Sequence, residues 1–185
     1  GAIEGVSGSC TWLHHTDSDT QFLVDCGMHQ GDEREEWANH QAFPFKAARL
    51  KYVLLTHAHI DHCGLLPRLV REGFTGLVYA TRATRELTEL MLLDAARVSG
   101  MFTEHEVKQI RWSVLDDDLG FKWGRSIRLA EGIWMAHLRS SHILGACLIS
   151  IGWKVNGSNR SICFSGDVGC QTDENAYLPL MKSGQ

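Results

Sequence analysis

Leu54-Leu55-Thr56-His57-Ala58-His59-Ile60-Asp61-His62-Cys63-Gly64 packs three histidines and one aspartate between positions 57 and 62. The apolar run Tyr52-Val53-Leu54-Leu55 leads in and Gly64 leads out. That pattern reads as a buried strand ending in a tight loop, with the polar side chains delivered at the strand's C-terminal end. Imidazole and carboxylate together suit zinc or a similar divalent ion. His57 and His59, followed by Asp61 and His62, are more donors than one tetrahedral ion takes from a short loop. The loop is therefore read as serving two metal ions side by side. The competing reading is a polar loop or a chance run. Short H-x-H pairs do arise by accident, whereas H-x-H-x-D-H directly after an apolar strand is a much more specific signal.

The chain around this loop has 185 residues and a 44% hydrophobic composition, which supports one domain with a real core. A net charge of −4 gives no case for binding nucleic acid by bulk charge and none against a local basic groove. No run approaches the length of a membrane span, and no basic-then-apolar leader opens the chain. Cys10, Cys26, Cys63, Cys147, Cys163 and Cys170 form no C-x-x-C pair. Free thiols in a reducing cytosol are expected rather than a disulfide framework, with a cytoplasmic location and with Cys26 and Cys63 as small buried fillers.

Upstream, residues 2–26 read as β-structure, with Thr11–His15 and Gln21–Val24 flanking a turn at Asp17-Ser18-Asp19. His14 and His15 point to opposite faces of a strand and are expected at the surface. Asp25 ends the second strand ahead of Cys26-Gly27, and both a site residue and a turn-forming aspartate fit that position. Residues 31–37 form a loop or a short exposed helix, and His29 and His40 lack ligand spacing. Residues 46–50 pack before the central strand.

Downstream, Leu65–Glu72 has helical spacing with Pro67 in its first turn, and Leu77–Ala80 is a buried strand. The spacing predicts a parallel strand–helix–strand unit. Thr81 or Thr84 caps the next helix, whose Leu87, Leu90, Met91 and Asp94 share a face, setting Asp94 near an apolar surface. A second helix runs from Thr103 to about Leu115 behind a Thr103-x-x-Glu106 capping box, with His105 exposed. Asp116-Asp117-Asp118 has no strand to fix it and reads as a loop. Ser126–Ala130, Ile133–Leu138, Ala146–Trp153 and Arg160–Phe164 are strands, with a hairpin turn over residues 155–159. Between two of them stands His142, in Ser140-Ser141-His142-Ile143-Leu144-Gly145. The apolar strand before Ser165-Gly166-Asp167 repeats the design of the opening loop: a buried strand with a ligand type at its tip.

In order along the chain, Asp25, His57-x-His59-x-Asp61-His62, His142 and Asp167 resemble the metallo-β-lactamase superfamily. Gly8-Ser9-Cys10, the run from Val24 to Gly31, Thr56 to Gly64, Tyr79-Ala80-Thr81-x-x-Thr84, Met91-Leu92-Leu93-Asp94, His142 to Ala146 and Phe164-Ser165-Gly166-Asp167 resemble its β-CASP branch, the metal-dependent nucleases of RNA processing. The resemblance implies an α/β fold, an αββα sandwich with two zinc ions at the rim of the sheets. It implies His57, His59 and His142 on one zinc, Asp61 and His62 on the second, and Asp167 bridging or shared. Asp61 and Asp25 are the implied catalytic residues, Asp61 orienting a metal-activated hydroxide and Asp25 orienting a ligand from behind. The implied substrate is RNA, cleaved at its phosphodiester bonds.

The pattern departs from the family in one respect. The family carries a further ligand histidine far downstream, and no histidine follows His142 here. Residues 1–185 are accordingly expected to be the N-terminal portion of the domain, ending near where a β-CASP insertion would begin. The sandwich and the second metal site would then be incomplete, the activity of the isolated chain weak or absent, and the open sheet edges a route to homo-oligomers. A thioester or lactam hydrolase of the same superfamily and a non-catalytic β-CASP-like subunit are the alternative functions, since fold alone does not fix substrate.

Overall fold

A computed structural model describes residues 7–169 of the chain. The expectations for residues 2–6, for Cys170 and for the segment up to Gln185 lie outside the described residues. β1 (Thr11–His15) and β2 (Thr20–Val24) form the expected antiparallel hairpin, and β3 (Leu50–Leu54), β4 (Leu77–Ala80) and β5 (Trp112–Val114) add in parallel. The five strands run in the order β1-β2-β3-β4-β5, so β3, which feeds the histidine loop, is central. A second sheet is an antiparallel meander of β6 (Ile127–Ala130), β7 (Ile133–Arg139), β8 (Cys147–Val155) and β9 (Ser158–Phe164). Val155 pairs with Ser158 across Asn156-Gly157, whose φ values of 50° and 78° fit a turn needing two left-handed residues.

Helices α1 (Glu33–Ala38), α2 (Ile60–Cys63), α3 (Leu66–Arg71), α4 (Arg82–Val98) and α5 (Glu104–Lys108) connect the first-sheet strands. Period-two alternation sorts the central strands into two cores. Leu23, Val53, Leu55 and Val78 face Leu66, Leu69, Leu92 and Val107 of the helices. Phe22, Val24 and Leu54 face Ile133, Met135, Ile149 and Ile151 of the second sheet. Complete burial of each such leucine contributes roughly 2 kcal/mol. A helical layer and both sheets of the expected sandwich are thus present. The outer face of the second sheet, around Trp134, Ala136 and Ser150, lines a shallow depression that no helix residue borders among the described residues. Among them, too, no helix is long and apolar enough to cross a membrane. Cys10, Cys26, Cys63, Cys147 and Cys163 are free thiols, and Cys163 is exposed.

Three expectations change. The capping box at Thr103 and Glu106 forms, but α5 stops at Lys108 and Trp112–Val114 becomes the edge strand β5. Its aromatic and β-branched residues gain a backbone ladder against β4, which helix continuation would forfeit. Asp116 and Asp117 belong to a short 3-10 turn, Leu115–Asp117, where Asp116 accepts from the Arg82 backbone N–H at 2.6 Å and Asp117 pairs with the Arg82 guanidinium. On α4 the buried side chains are Thr84, Thr88 and Leu92, while Leu87, Leu90 and Asp94 are exposed. The leucine stripe is one face of the helix, but the face turned inward is the one carrying Thr84, Thr88 and Leu92, of which the Thr84 hydroxyl bonds the Gly145 carbonyl.

Candidate metal centre

Everything singled out as a ligand type converges on one end of the sandwich. Asp25 follows β2, residues 57–62 follow β3, His142 lies between β7 and β8, and Asp167 follows β9. The end is sealed across the sheets by Cys147 N–H donating to the Thr56 carbonyl at 2.9 Å.

The segment after β2 and the histidine loop are zipped along their backbones. Cys26 N–H donates to His62 O at 2.7 Å, Met28 N–H to Ile60 O at 3.1 Å, and Ser9 N–H to Asp61 O at 2.8 Å. The contact is so close that a Cβ at Gly27 would lie 1.6 Å from the Asp61 carbonyl oxygen. Asp25 enters this segment at a φ of 59°, a left-handed conformation rare outside glycine, and it is buried.

The Asp25 carboxylate organises the imidazoles. Its Oδ1 accepts from Thr56 N–H at 2.8 Å, and its Oδ2 accepts from Thr56 Oγ1–H at 2.9 Å and from His62 Nδ1–H at 2.8 Å. The one hydroxyl proton of Thr56 is used on Asp25, so the 3.0 Å contact between Thr56 Oγ1 and His57 Nδ1 requires the histidine to donate. Both rings therefore carry their proton on Nδ1 and turn an Nε2 lone pair outward, the arrangement by which a neighbour fixes a ligand's tautomer. Burial, reinforced by the nearby imidazoles of His62, His59 and His142, pushes the His57 pKa down to about 2, so it is neutral at working pH. Burial also lowers His142, with His59 adding to it. For His62 burial pulls downward, but the hydrogen bond and charge of Asp25 together with Asp61 and Asp167 outweigh it and raise the pKa.

The four donors His57 Nε2, His59 Nδ1, His142 Nε2 and an Asp167 oxygen fall within 4.8 Å of one another. A tetrahedral zinc with bonds of roughly 2.0–2.1 Å has donor–donor edges of about 3.3 Å. Here the edges are 3.1 Å from His57 to His59, 2.9 Å from His59 to His142, 3.5 Å from His142 to Asp167 and 3.9 Å from His57 to Asp167. Three imidazole nitrogens and a carboxylate oxygen at these separations fit a cation. Beside this cluster, His62 Nε2 lies 3.4 Å from Asp167 Oδ1 and 3.6 Å from Asp61 Oδ2. Asp167 thus turns Oδ2 to the first cluster and Oδ1 to the second. A cleft of about 330 Å³ opens next to it, lined by Ser9, Asp25, His62 and Phe164 among others.

Asp25, His57, His59, Asp61, His62, His142 and Asp167 are all brought together, whereas His14 and His15 instead bond Asp19 and Ser18 on the surface. Sequence reasoning overlooked the side chains that hold the ligands. Thr56 is one, and its place directly before His57 was the available signal. Ser140 and Ser141 are two more, donating to the carbonyls of Asp167 at 2.7 Å and Gly169 at 2.8 Å. Their partners lie over 25 residues away, so nothing local marks them.

Comparisons with known proteins agree with this geometry. The family model for the metallo-beta-lactamase superfamily matches residues 3–146. Ribonuclease TTHA0252 of Thermus thermophilus is 37% identical over 171 residues, covering 91% of this chain and 37% of the relative. Transcription termination factor FttA of Methanocaldococcus jannaschii is 29% identical over 93% of this chain and 27% of its own length. Cleavage and polyadenylation specificity factor 73 of Drosophila melanogaster is 28% identical over 98% of this chain and 26% of its own length. The chain spans between 26% and 37% of the length of these relatives. Among solved structures, the metallo-beta-lactamase fold protein YhfI from Bacillus subtilis superposes with a TM-score of 0.54 at 17% identity, over 91% of this chain and 57% of that one. The chain belongs to the metallo-β-lactamase superfamily.

Proposed function

We propose that this chain carries a two-zinc hydrolytic centre whose substrate is an RNA phosphodiester. The observation that carries the reading is the Asp167 carboxylate, with one oxygen toward the His57–His59–His142 cluster and the other toward His62 and Asp61. On this reading His57, His59 and His142 hold one ion, Asp61 and His62 the other, and Asp167 spans them. A pair of metal ions at such a site supplies Lewis acidity and an activated water for in-line displacement at phosphorus. Asp61, partly open to solvent and 3.6 Å from His62, orients the attacking water and accepts its proton. Asp25 is a positioning residue that acts through Thr56 and His62, since its carboxylate is buried behind them. Three relatives named for a ribonuclease, a transcription termination factor and a cleavage and polyadenylation factor favour RNA over a thioester or a lactam.

The test is zinc content and cleavage of RNA, DNA, an acyl thioester and a chromogenic β-lactam, measured on the full-length protein and on its His59→Ala variant. Metal-dependent RNA cleavage that is lost in the variant is the expected result. Cleavage that persists unchanged in His59→Ala would reject the metal mechanism, and turnover confined to the thioester or lactam would reject the substrate.

A further inference from the structure

We propose that Thr81 and Thr84, at the start of α4, are positioning residues for His142. This rests on the reading of His142 as a metal ligand. The loop 140–146 is tied into a closed unit, with Ser140 N–H donating to Ala146 O at 3.1 Å and Ala146 N–H to Ile143 O at 3.0 Å. On its outward side it has little packing, and Leu144 is 64% exposed. Its inward anchor is the Gly145 carbonyl, which accepts from Thr81 Oγ1–H at 2.9 Å and Thr84 Oγ1–H at 3.0 Å. Both threonines are buried, so their hydroxyls have no water to fall back on.

Helix capping does not account for the pair. Thr81 alone caps α4, accepting from Thr84 N–H at 3.2 Å, and the Thr84 hydroxyl takes no part in that bond. Gly145 has a φ of 82°, and a Cβ there would lie 2.6 Å from Thr81 Oγ1 and 2.8 Å from Thr84 N. The loop is thus seated as deeply on the helix as a residue without a side chain allows. That depth sets the height of the His142 ring, whose Nε2 stands 2.9 Å from His59 Nδ1. Losing a clamp hydroxyl lets the loop rise and draws the His142 donor away from the cluster, while His57 and His59 keep their own supports.

The test measures zinc affinity of the 185-residue chain by competition with a chromophoric chelator, with circular dichroism as the check on folding. Thr84→Val is expected to weaken zinc binding roughly ten- to a hundredfold, the usual cost of losing a side chain that orients a ligand, and Thr84→Ser to stay close to wild type. In a His142→Ala background Thr84→Val is expected to cost almost nothing further, which a purely structural role would not produce. Wild-type affinity in folded Thr84→Val, or an equal loss in both backgrounds, overturns the proposal. Should Thr84→Val not fold, Gly145→Ala keeps both hydroxyls and lifts the loop, and wild-type zinc affinity in it overturns the proposal equally. Unchanged affinity in His142→Ala alone removes the ligand reading and the clamp with it. Loss in His142→Ala without loss in Thr84→Val removes the clamp only.

Discussion

The loop after β3 and the two second-sheet segments that complete the centre reach the same end of the molecule by different means. The β3 loop delivers His57, His59, Asp61 and His62 from within one short stretch, laced by backbone bonds to residues 9 and 26–28 and by one buried carboxylate. His142 and Asp167 arrive singly on connections whose anchors are side-chain hydroxyls, Ser140 and Ser141 for one and Thr81 and Thr84 for the other. Exposure follows the same division, the His57 side chain being 1% exposed and that of Asp167 46%. Backbone lacing holds the first half through main-chain bonds. Hydroxyl anchoring leaves the second half the softer partner, and ligand binding there depends on packing.

Asp167→Ala breaks the comparison most severely, because it removes the one donor common to both clusters. Structural zinc sites with four ligands carry about 10–16 kcal/mol, or roughly 2.5–4 kcal/mol per ligand. Loss of a shared ligand is then expected to cost about 5–8 kcal/mol summed over two ions, read as weakening of both phases of a zinc titration, whereas His142→Ala weakens one phase only. A single-phase effect from Asp167→Ala would break the shared-donor picture. The same titration on the wild type is expected to be biphasic, since the first cluster gathers four described donors and the second three.

Gly27→Ala probes the lacing of the first half. Its Cβ meets backbone at 1.6 Å, so the strand and the loop have to separate, at a cost of about 4 kcal/mol or more in urea unfolding. Gly166→Ala, in the second half, meets only the Thr56 side chain at 2.8 Å and a φ of 52°, and is expected to cost about 1–2 kcal/mol. Equal costs would erase the distinction between the halves.

A third prediction concerns the layer between the sheets. His137 on β7 is buried with its Nε2 unpartnered, and burial pushes its pKa down to about 4. Below the ordinary value near 6.5 the unfolded chain takes up a proton that the folded one refuses, so stability is present above that pH and is lost as pH falls toward 4. The loss amounts to about 3 kcal/mol. Urea unfolding with a chelator present, from pH 7 to pH 4, is expected to be flatter for His137→Leu than for the wild type, and identical slopes would clear His137 of the effect. Smallest is Asp25→Asn, which keeps the shape but loses the charge that orients His57 and His62. Zinc affinity is expected to fall about 10- to 100-fold with the fold retained.

The linear text reveals the first half better than the second. A strand followed by H-x-H-x-D-H is local chemistry, and the strand's period-two burial follows from its own apolar residues. The edge strand β5 was read as helix because a capping box is a local signal and sheet pairing is not. The apolar face of α4 was misjudged for a related reason. Spacing finds a stripe of Leu87 and Leu90, but only the tertiary fold supplies partners for the hydroxyls of Thr81 and Thr84.

By itself, then, the sequence determined the ligand types, the strand that presents most of them, the hairpins and the family pattern. These depend on neighbours in the chain, whose geometry is set by backbone periodicity and turn chemistry. Tertiary structure alone decided which nitrogen each histidine turns inward, how Asp25 and Thr56 enforce that choice, and that Asp167 faces two clusters at once. Those features depend on hydrogen bonds between residues 31 to 37 positions apart and on ion pairs spanning 105 to 110, separations over which no local pattern carries information.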